Sequence, residues 1–444
     1  MRVLLVDPLA NGLDLVLRGQ RDGHVMRLFV RDTAKTEHVG KGFCEVHRRF
    51  EDLPRLLDWA DLVVNCDNTF YLREIDGHRN RGGAVISASS ETAEWELDRS
   101  VGMKIFAEHD IEVPRWKEFS DYDQAVSFVK RHNKAFVSKP SGEADKALSY
   151  VSKGPADMVF MLERWKSLGK LKAPFILQER ILGMEMAVGG WMGRDGFVGP
   201  WCENFEFKKL CNGDLGCATG EQGTVLRYIS TSKLANRMLK PLEAKLIKAG
   251  YVGYIDVNTM IDEDGTPWPL EFTMRFGWPT TPIQLPLHHG DYMSWLKSLC
   301  SDEPQLPRID ERTIAIGVVL TIPDYPYSHI TRKEVVGIPV YGITSQIKDH
   351  IHPGEMMIGK APIESANGLR TETMWVTAGD YVLVMTATGE TVQQAAKTSY
   401  RRLKHLEIPN SPMYRTDIGA RLKTHLPKLQ AMGYARGMSY SMPP

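Results

Sequence analysis

What this 444-residue chain lacks narrows its possible roles. It has no net charge, because 55 Lys and Arg balance 55 Asp and Glu. It therefore exerts no global pull on nucleic acid or on an anionic membrane. Its six cysteines are few and irregularly spaced, which excludes a disulfide framework and reads as free thiols. It has no long apolar run. The longest, 314–322, contains Gly317 and Thr321 and reads as a strand, well short of the ~18–20 residues that span a bilayer. The opening stretch, 1–7, is too short and too soon acidic for a signal peptide. There is no internal repeat, no low-complexity segment and no Walker A sequence. The first apolar run is followed by Asp7-Pro8-Leu9-Ala10-Asn11-Gly12, not by a dinucleotide fingerprint. The expectation is a soluble, cytoplasmic protein of roughly three domains. It would act on small molecules without membrane or nucleic-acid partners, as a monomer or homodimer.

What is present reads as α/β. Residues 3–6, 61–65 and 84–88 are short continuous apolar runs, with helical spacing over 50–60 between them. Buried strands alternating with helices argue for a parallel sheet. A helix over 97–109 opens a second unit. Strands are expected at 136–140 and 175–179, and a hairpin at 184–200 with its turn at Arg194-Asp195-Gly196. One helix is expected over 234–250. Two strands, 254–260 and 268–272, are joined by Asp262-Glu263-Asp264-Gly265. The clearest linker is 302–307. Beyond it come strands at 313–322, 337–340 and 381–386, a helix over 391–406, and a frayed end at 437–444. The expected domains are 1–96, 97–306 with a small lid at about 115–185, and 307–430, followed by a tail at 431–444.

Four features could carry chemistry. Asp256 and Glu271 lie on the two strands joined by the acidic turn, where strand alternation can put both carboxylates on one face. With Arg275 close behind, they make a hard-cation site of the kind Mg²⁺ uses together with nucleotide phosphates. A surface hairpin with scattered acids is the competing reading. Lys139 closes a strand and is followed by the polar loop 140–146, an arrangement suited to a phosphate or simply to solvent. Gln178, Glu179, Arg180 and Ile181 end a strand, and Glu185 follows. Such an edge can offer adenine its backbone and the ribose a carboxylate, or be an ordinary hairpin edge. Finally, 208–223 is a long polar loop with four glycines, able to close on a ligand and aim N–H groups at anions. His288 and His289 point apart and do not read as a metal pair.

The order of these features is more specific than any one of them. A lysine at a strand end, a hinge followed by a carboxylate, a Gly-rich loop, and then Asp and Glu on paired strands resembles the ATP-grasp ligases. Within that superfamily the chain resembles the phosphoribosylamine–glycine ligase family, on the segments 208–223, 251–284 and 386–422. The last contains Gly389-Glu390-Thr391-Val392 and Arg415-Thr416-Asp417-Ile418-Gly419. The resemblance implies an ATP-grasp fold with an N-terminal parallel sheet and a strand-rich C-terminal domain. It implies that Lys139 contacts phosphate, and that Arg99 does so where the family usually has lysine. Gln178, Glu179 and Ile181 would form the adenine hinge, and Glu185 would bind ribose. Asp256, Glu271 and Thr273 would hold Mg²⁺ or Mn²⁺, Thr273 standing where the family usually has asparagine. Arg275 and Lys208 would face the reacting groups. Asp214, Thr219 and Gly220 of the Gly-rich loop, together with Asp67, would contact substrate.

The same resemblance implies an ATP- and Mg²⁺-dependent ligase that joins an amino acid to an amine acceptor through an acyl phosphate, in the manner of purine biosynthesis. The acid would be glycine and the amine phosphoribosylamine. Trp278 and Thr280 replace two acids of the family pattern. The turn after the first strand is not Gly-rich, and in 65–70 only Asp67 matches the family's acid. The acceptor end therefore differs. A ligase for another amine, such as a modified nucleotide or sugar amine, and a non-catalytic nucleotide-binding protein are the alternative readings.

Overall fold

Val3, Leu4, Leu5 and Val6 are all fully buried, because the strand they form lies between two parallel neighbours and is covered on both faces. In this computed structural model, which describes residues 1–141, 149–170, 174–327, 331–409 and 411–442, that strand is β1 (Arg2–Val6). It is followed by α1 (Leu13–Arg21), β2 (Val25–Phe29), β3 (Glu45–His47), α2 (Leu53–Trp59), β4 (Leu62–Asn65), α3 (Leu72–Asn80) and β5 (Val85–Ile86). The five strands form one parallel sheet in the order β3-β2-β1-β4-β5. The sequence pattern shows β1, β4 and β5. It misses β2 and β3, whose apolar residues alternate with His24, Arg27 and Glu45.

Two helices, α4 (Ser90–Leu97) and α5 (Arg99–Glu108), follow. They meet at Asp98, whose side chain accepts the N–H groups of Ser100 and Val101 as an N-cap. The expected helix over 97–109 therefore starts afresh at Arg99. A small subdomain comes next: β6 (Trp116–Phe119), α6 (Tyr122–His132), β7 (Phe136–Pro140), β8 (Tyr150–Val151), α7 (Pro155–Ser167) and β9 (Phe175–Glu179). Its antiparallel sheet runs β6-β9-β7-β8 and has its own core of Phe119, Phe136, Leu162, Trp165 and Phe175.

The largest sheet has eight antiparallel strands in the order β16-β15-β10-β11-β14-β19-β23-β20. Along the chain it begins with β10 (Met184–Gly193) and β11 (Gly196–Glu206), joined at Arg194-Asp195 as the sequence predicts. The ribbon β12 (Lys209–Cys211) and β13 (Leu215–Ala218) follows, so the expected open loop 208–223 is largely a hairpin. After β14 (Gly223–Ile229), the expected helix over 234–250 is two short helices, α8 (Lys233–Met238) and α9 (Glu243–Lys248). Pro241 between them has no N–H to continue the ladder. Then come β15 (Gly253–Ile261), β16 (Pro267–Thr273), α10 (Thr280–Gln284), β17 (His288–His289), α11 (Tyr292–Ser298) and β18 (Arg308–Ile309).

The remaining elements are β19 (Ile314–Thr321), β20 (Ile351–Pro353), β21 (Met356–Ser365), β22 (Gly368–Thr377), β23 (Tyr381–Gly389), α12 (Val392–Leu403) and α13 (Leu422–Ala431). β19, β23 and β20 continue the large sheet past β14. The segment 337–340 is not a strand; it makes only an isolated bridge from Pro339 to Val376. The ribbon β21–β22, unseen in the sequence pattern, reaches back to the N-terminal sheet: Gly40 N–H donates to Met356 O and Ile358 N–H to Lys41 O. Residues 437–442 of the expected frayed end are held in place. Val392 and Gln393 donate their N–H groups to Ser439 and Tyr440 carbonyls, and Met438 is buried.

Trp191 of β10 is fully buried. Its ring lies 5.0 Å from those of Tyr254 and Trp295 and 5.7 Å from Phe276, tying the sheet to α11. Trp191→Ala is expected to remove about 3–5 kcal/mol and to lower the urea midpoint of unfolding, followed by tryptophan-independent far-UV circular dichroism.

Candidate active site

Alternation along four adjacent strands gathers polar side chains on one face of the large sheet. Asp256 lies opposite Thr273, and Asn258 opposite Glu271. Ala187 lies opposite both Asn258 and Asn204, which puts Glu185 and Glu206, two residues away along their strands, on the same face. Asp256 is drawn deepest. Its Oδ2 accepts from Asn204 Nδ2 at 2.8 Å and from Tyr254 OH at 3.1 Å. Gly189 leaves the room: a Cβ there would lie 1.9 Å from Tyr254 OH and 2.7 Å from Asp256 Oδ2.

Lys208 occupies the centre. Its Nζ is 2.9 Å from Glu185 Oε1, 3.0 Å from Glu206 Oε2 and 3.6 Å from Glu271 Oε1. Arg99 Nη1, from the start of α5, is 2.9 Å from Glu271 Oε2, and Asn258 Nδ2 donates to Glu206 Oε2 at 2.7 Å. Lys139, from β7 of the small subdomain, crosses to the same place and donates from Nζ to Leu270 O at 2.6 Å. Burial opposes the Lys208 ammonium, but Glu185, Glu206 and Glu271 together hold its pKa well above the usual lysine range. Lys139 goes the other way: burial, with Arg99 and Lys208 nearby, pushes it down to about 7. Burial and the neighbouring Glu206 push Asp256 up to about 7. Burial likewise raises Glu206 and raises Glu221 well above the usual carboxylate range.

The other expected residues fall in three places. Gln178 and Glu179 end β9, but β9 is an inner strand of its sheet, not an edge. Glu179 N–H already donates to Arg115 O and Arg180 N–H to Ala135 O, and the buried Gln178 amide points to Met103 Sδ at 3.2 Å. The N–H groups of Glu179 and Arg180 are therefore engaged. Arg275 lies beyond β16 and is fixed by Glu96: Arg275 Nε to Glu96 Oε1 is 3.2 Å, and Met274 N–H donates to Glu96 Oε2 at 2.7 Å. The same Glu96 Oε2 accepts from Asn68 at 2.8 Å, and Asp67 acts on Arg275 electrostatically. Asp214 is turned away, paired with Arg415 at 2.8 Å and Arg421 at 3.3 Å. Thr219 donates to Lys208 O at 2.8 Å and anchors the strand behind Lys208. Gly220 is exposed beside it. Residues 142–148, the rest of the polar loop after Lys139, lie outside the described residues.

Glu206, Glu221 and Glu96 were missed by sequence reasoning. Alternation from Lys208 back to Glu206 was a usable signal for the first; nothing local marks the other two. Among the described residues no group of three or more His, Cys, Asp or Glu side chains forms a ready metal cage. Mg²⁺ needs no such cage, being held by one or two carboxylates and by substrate phosphates. The donor set fits: oxygen ligands gathered around a lysine ammonium, with Asn258 Oδ1 buried and unpartnered among the described residues.

The chain is similar to known proteins over most of its length. Residues 98–281 match the family described as phosphoribosylglycinamide synthetase, ATP-grasp (A) domain. A phosphoribosylamine–glycine ligase of Salmonella typhimurium is 24% identical over 389 residues, covering 83% of this chain and 86% of that protein. A bifunctional purine biosynthetic protein of Pichia angusta is 27% identical over 368 residues, covering 78% of this chain; the chain spans only 43% of that longer protein. Among solved structures, the phosphoribosylamine–glycine ligase of Thermotoga maritima superposes with a TM-score of 0.69 at 19% identity, covering 94% of this chain and all of the other. A biotin carboxylase from Campylobacter jejuni superposes with a TM-score of 0.63 at 11% identity, covering 97% and 95%. The ATP-grasp resemblance read from the motif order holds. No helix among the described residues is long and apolar enough to cross a membrane.

The raised Asp256 carboxyl gives a pH signature. A native pKa near 7 against 3.8 unfolded means that the native state keeps a proton the unfolded chain has released. Its contribution to stability is present at low pH and is lost as pH rises through about 7. Asp256→Asn should make the fall in thermal midpoint between pH 5 and pH 7 shallower, as read by calorimetry.

Proposed function

We propose that this ATP-grasp protein, similar to the phosphoribosylglycinamide synthetases, is an ATP-dependent carboxylate–amine ligase, with glycine as the acid and phosphoribosylamine as the amine. The observation that carries the reading is the ammonium of Lys208 gathering Glu185, Glu206 and Glu271, with Arg99 and Lys139 alongside. Such a site offers cations to a triphosphate and carboxylates to its metal, while adding little to net charge. The named relatives supply the identity of acid and amine.

ATP would lie between the small subdomain and the polar face of the large sheet, its adenine at the backbone from Ile181 and its ribose at Glu185. The substrate carboxylate attacks the γ-phosphorus, the bond to the β-phosphate oxygen breaks, and ADP leaves an acyl phosphate. The amine lone pair then forms a bond to the acyl carbon, the carbon–oxygen bond to phosphate breaks, and the nitrogen releases a proton. Positioning and charge neutralisation supply the catalysis, so no protein nucleophile is needed. Arg99 and Lys139 take phosphate charge. Arg275, held in place by Glu96, faces the reacting carboxylate. Lys208 exchanges carboxylate partners for phosphate as the nucleotide enters. Glu271 and Thr273, with Asp256 and Glu206 on the same face, would hold Mg²⁺, which supplies Lewis-acid neutralisation of phosphate oxygens when bound. Closure of the small subdomain keeps water from the acyl phosphate.

The test is incubation with ATP, Mg²⁺ and glycine, with and without phosphoribosylamine, measuring ADP and amide. ADP formation is expected to need both glycine and an amine. ATP binding without turnover on any amine would instead establish a silent nucleotide-binding protein. Glu271→Gln is expected to lower kcat at least about 100-fold with an unchanged circular dichroism spectrum; unaltered turnover would overturn the metal assignment.

A further inference from the structure

Lys208 lies at the root of a hairpin that has little to hold it. Residues 211–216, which include the turn between β12 and β13, are all exposed, and Leu215 near the tip is 68% exposed. Such a ribbon has no apolar core of its own, and an isolated two-stranded hairpin is marginally stable at best. Its turn adds strain, because Asp214 takes the left-handed conformation at φ 55°, uncommon outside glycine. Yet the Lys208 ammonium meets Glu185, Glu206 and Glu271 at once. Thr219 fixes the Lys208 carbonyl from within the hairpin, through its N–H and its hydroxyl, both at 2.8 Å. Further grip comes from the C-terminal segment 415–421.

Arg415 is 2% exposed. Its Nε and Nη2 form a bidentate pair with Asp417 at 2.8 and 2.7 Å. Its Nη1 donates to Asp214 Oδ1 at 2.8 Å and to Lys209 O at 3.0 Å. Arg421, the residue before α13, donates from Nη1 to Asp214 Oδ2 at 3.3 Å and from Nη2 to Glu206 O. The two guanidinium groups stand 5.3 and 4.2 Å from the centroid of the buried Phe207 ring. Around the turn, Asn212 Nδ2 donates to Thr416 Oγ1 at 2.6 Å, and Thr416 N–H returns a bond to Asn212 Oδ1 at 3.0 Å. Gly213 N–H donates to Asp417 Oδ2 at 2.8 Å. The carbonyls of Glu206 and Lys209, on either side of Lys208, are thus held by two arginines that share Asp214. The segment is itself fixed: Ile418 is buried, and its N–H donates to Tyr400 OH of α12 at 2.9 Å. Elsewhere on the hairpin, Cys217 touches the exposed Tyr327 phenol.

We propose that Arg415 and Arg421 are positioning residues for Lys208: with Asp214 and Asp417 they latch the hairpin to the C-terminal domain and so set where the ammonium stands, an inference that rests on the ligase reading in taking Lys208 to meet the phosphates of ATP. A guanidinium suits the task. Its planar fork holds a backbone carbonyl and a carboxylate in one fixed relation, which a lysine ammonium does not. Two cations against two carboxylates also leave the latch neutral, so it adds no field of its own to the nucleotide site. Asp214 is then no substrate ligand. It gathers both arginines, and its charge offsets the strain of its own turn. With the latch undone, Lys208 keeps its acidic neighbours but loses its fixed place over the sheet, and a phosphate meets an ammonium that must first be ordered.

The test compares Asp214→Ala and Asp214→Glu with the wild-type chain. The Asp214 side chain is 46% exposed, so the changes leave the core untouched. MgATP binding is measured by calorimetry, and kcat and KM for glycine and phosphoribosylamine in turnover. Asp214→Ala is expected to raise the MgATP dissociation constant about tenfold and to lower kcat about tenfold, with the glycine and amine KM unmoved. Asp214→Glu is expected to restore both to within about threefold of wild type. Arg421→Met should reproduce the loss, and combining it with Asp214→Ala should cost no more than either alone, since both break one contact. A lower thermal midpoint with MgATP binding and kcat unmoved would make the latch a structural tie and overturn the proposal. A raised glycine or amine KM alone would make Asp214 a substrate ligand and overturn it equally. The binding arm needs no turnover. A wild-type chain that binds MgATP but joins no amine sinks the ligase reading, while weakened MgATP binding by Asp214→Ala would still establish the latch.

Discussion

The site depends on one ammonium group among three carboxylates. Glu185, Glu206 and Glu271 come from β10, β11 and β16, and without a cation between them they could not share a face at these distances. Lys208 supplies it, and it can do so because β11 runs straight into it two residues after Glu206. Removing one partner of a buried ion cluster leaves charge without compensation, whereas replacing the cation by another satisfies the same acids. In the proposed reading a metal–nucleotide complex would be such a replacement. The interaction that stabilises this cluster is therefore the one that, in the proposed reading, nucleotide would exchange.

Burial sets the protonation of this face unevenly. Asp256 and Lys139 both shift toward about 7, from opposite sides, while Lys208 stays firmly charged. The site is thus not a fixed pattern of full charges. Part of it is held close to neutral, which lowers the cost of keeping so many ionisable groups out of water.

Much of this was legible in the sequence, and what was not has physical causes. The strand pair carrying Asp256 and Glu271 followed from alternation and turn chemistry. The ATP-grasp order followed from Lys139, the 178–185 segment and the acids taken together. The hinge was read as an open edge because sequence does not say which strand flanks which; β6 and β7 both cover β9. Glu96 is invisible because its role arises from meeting Arg275, 179 residues away. The ribbon β21–β22 escaped because its strands carry no apolar period, and the tail because two backbone hydrogen bonds and the burial of Met438, not composition, pin it. Pro241 was in plain view and should have divided the helix over 234–250.

The eight-stranded sheet also has a metric consequence. Its β16 edge carries Glu271 and Thr273, and its β20 edge carries His352, which faces Asp14 of the N-terminal unit. Both edges are thus graduated on a single hydrogen-bonded lattice, with strands about 4.8 Å apart. Small flexing of a loop cannot alter that gauge length; only a change in the twist of the whole sheet can. The separation between the Lys208 cluster and the N-terminal unit is in this sense a property of the sheet's curvature, set when the chain folds.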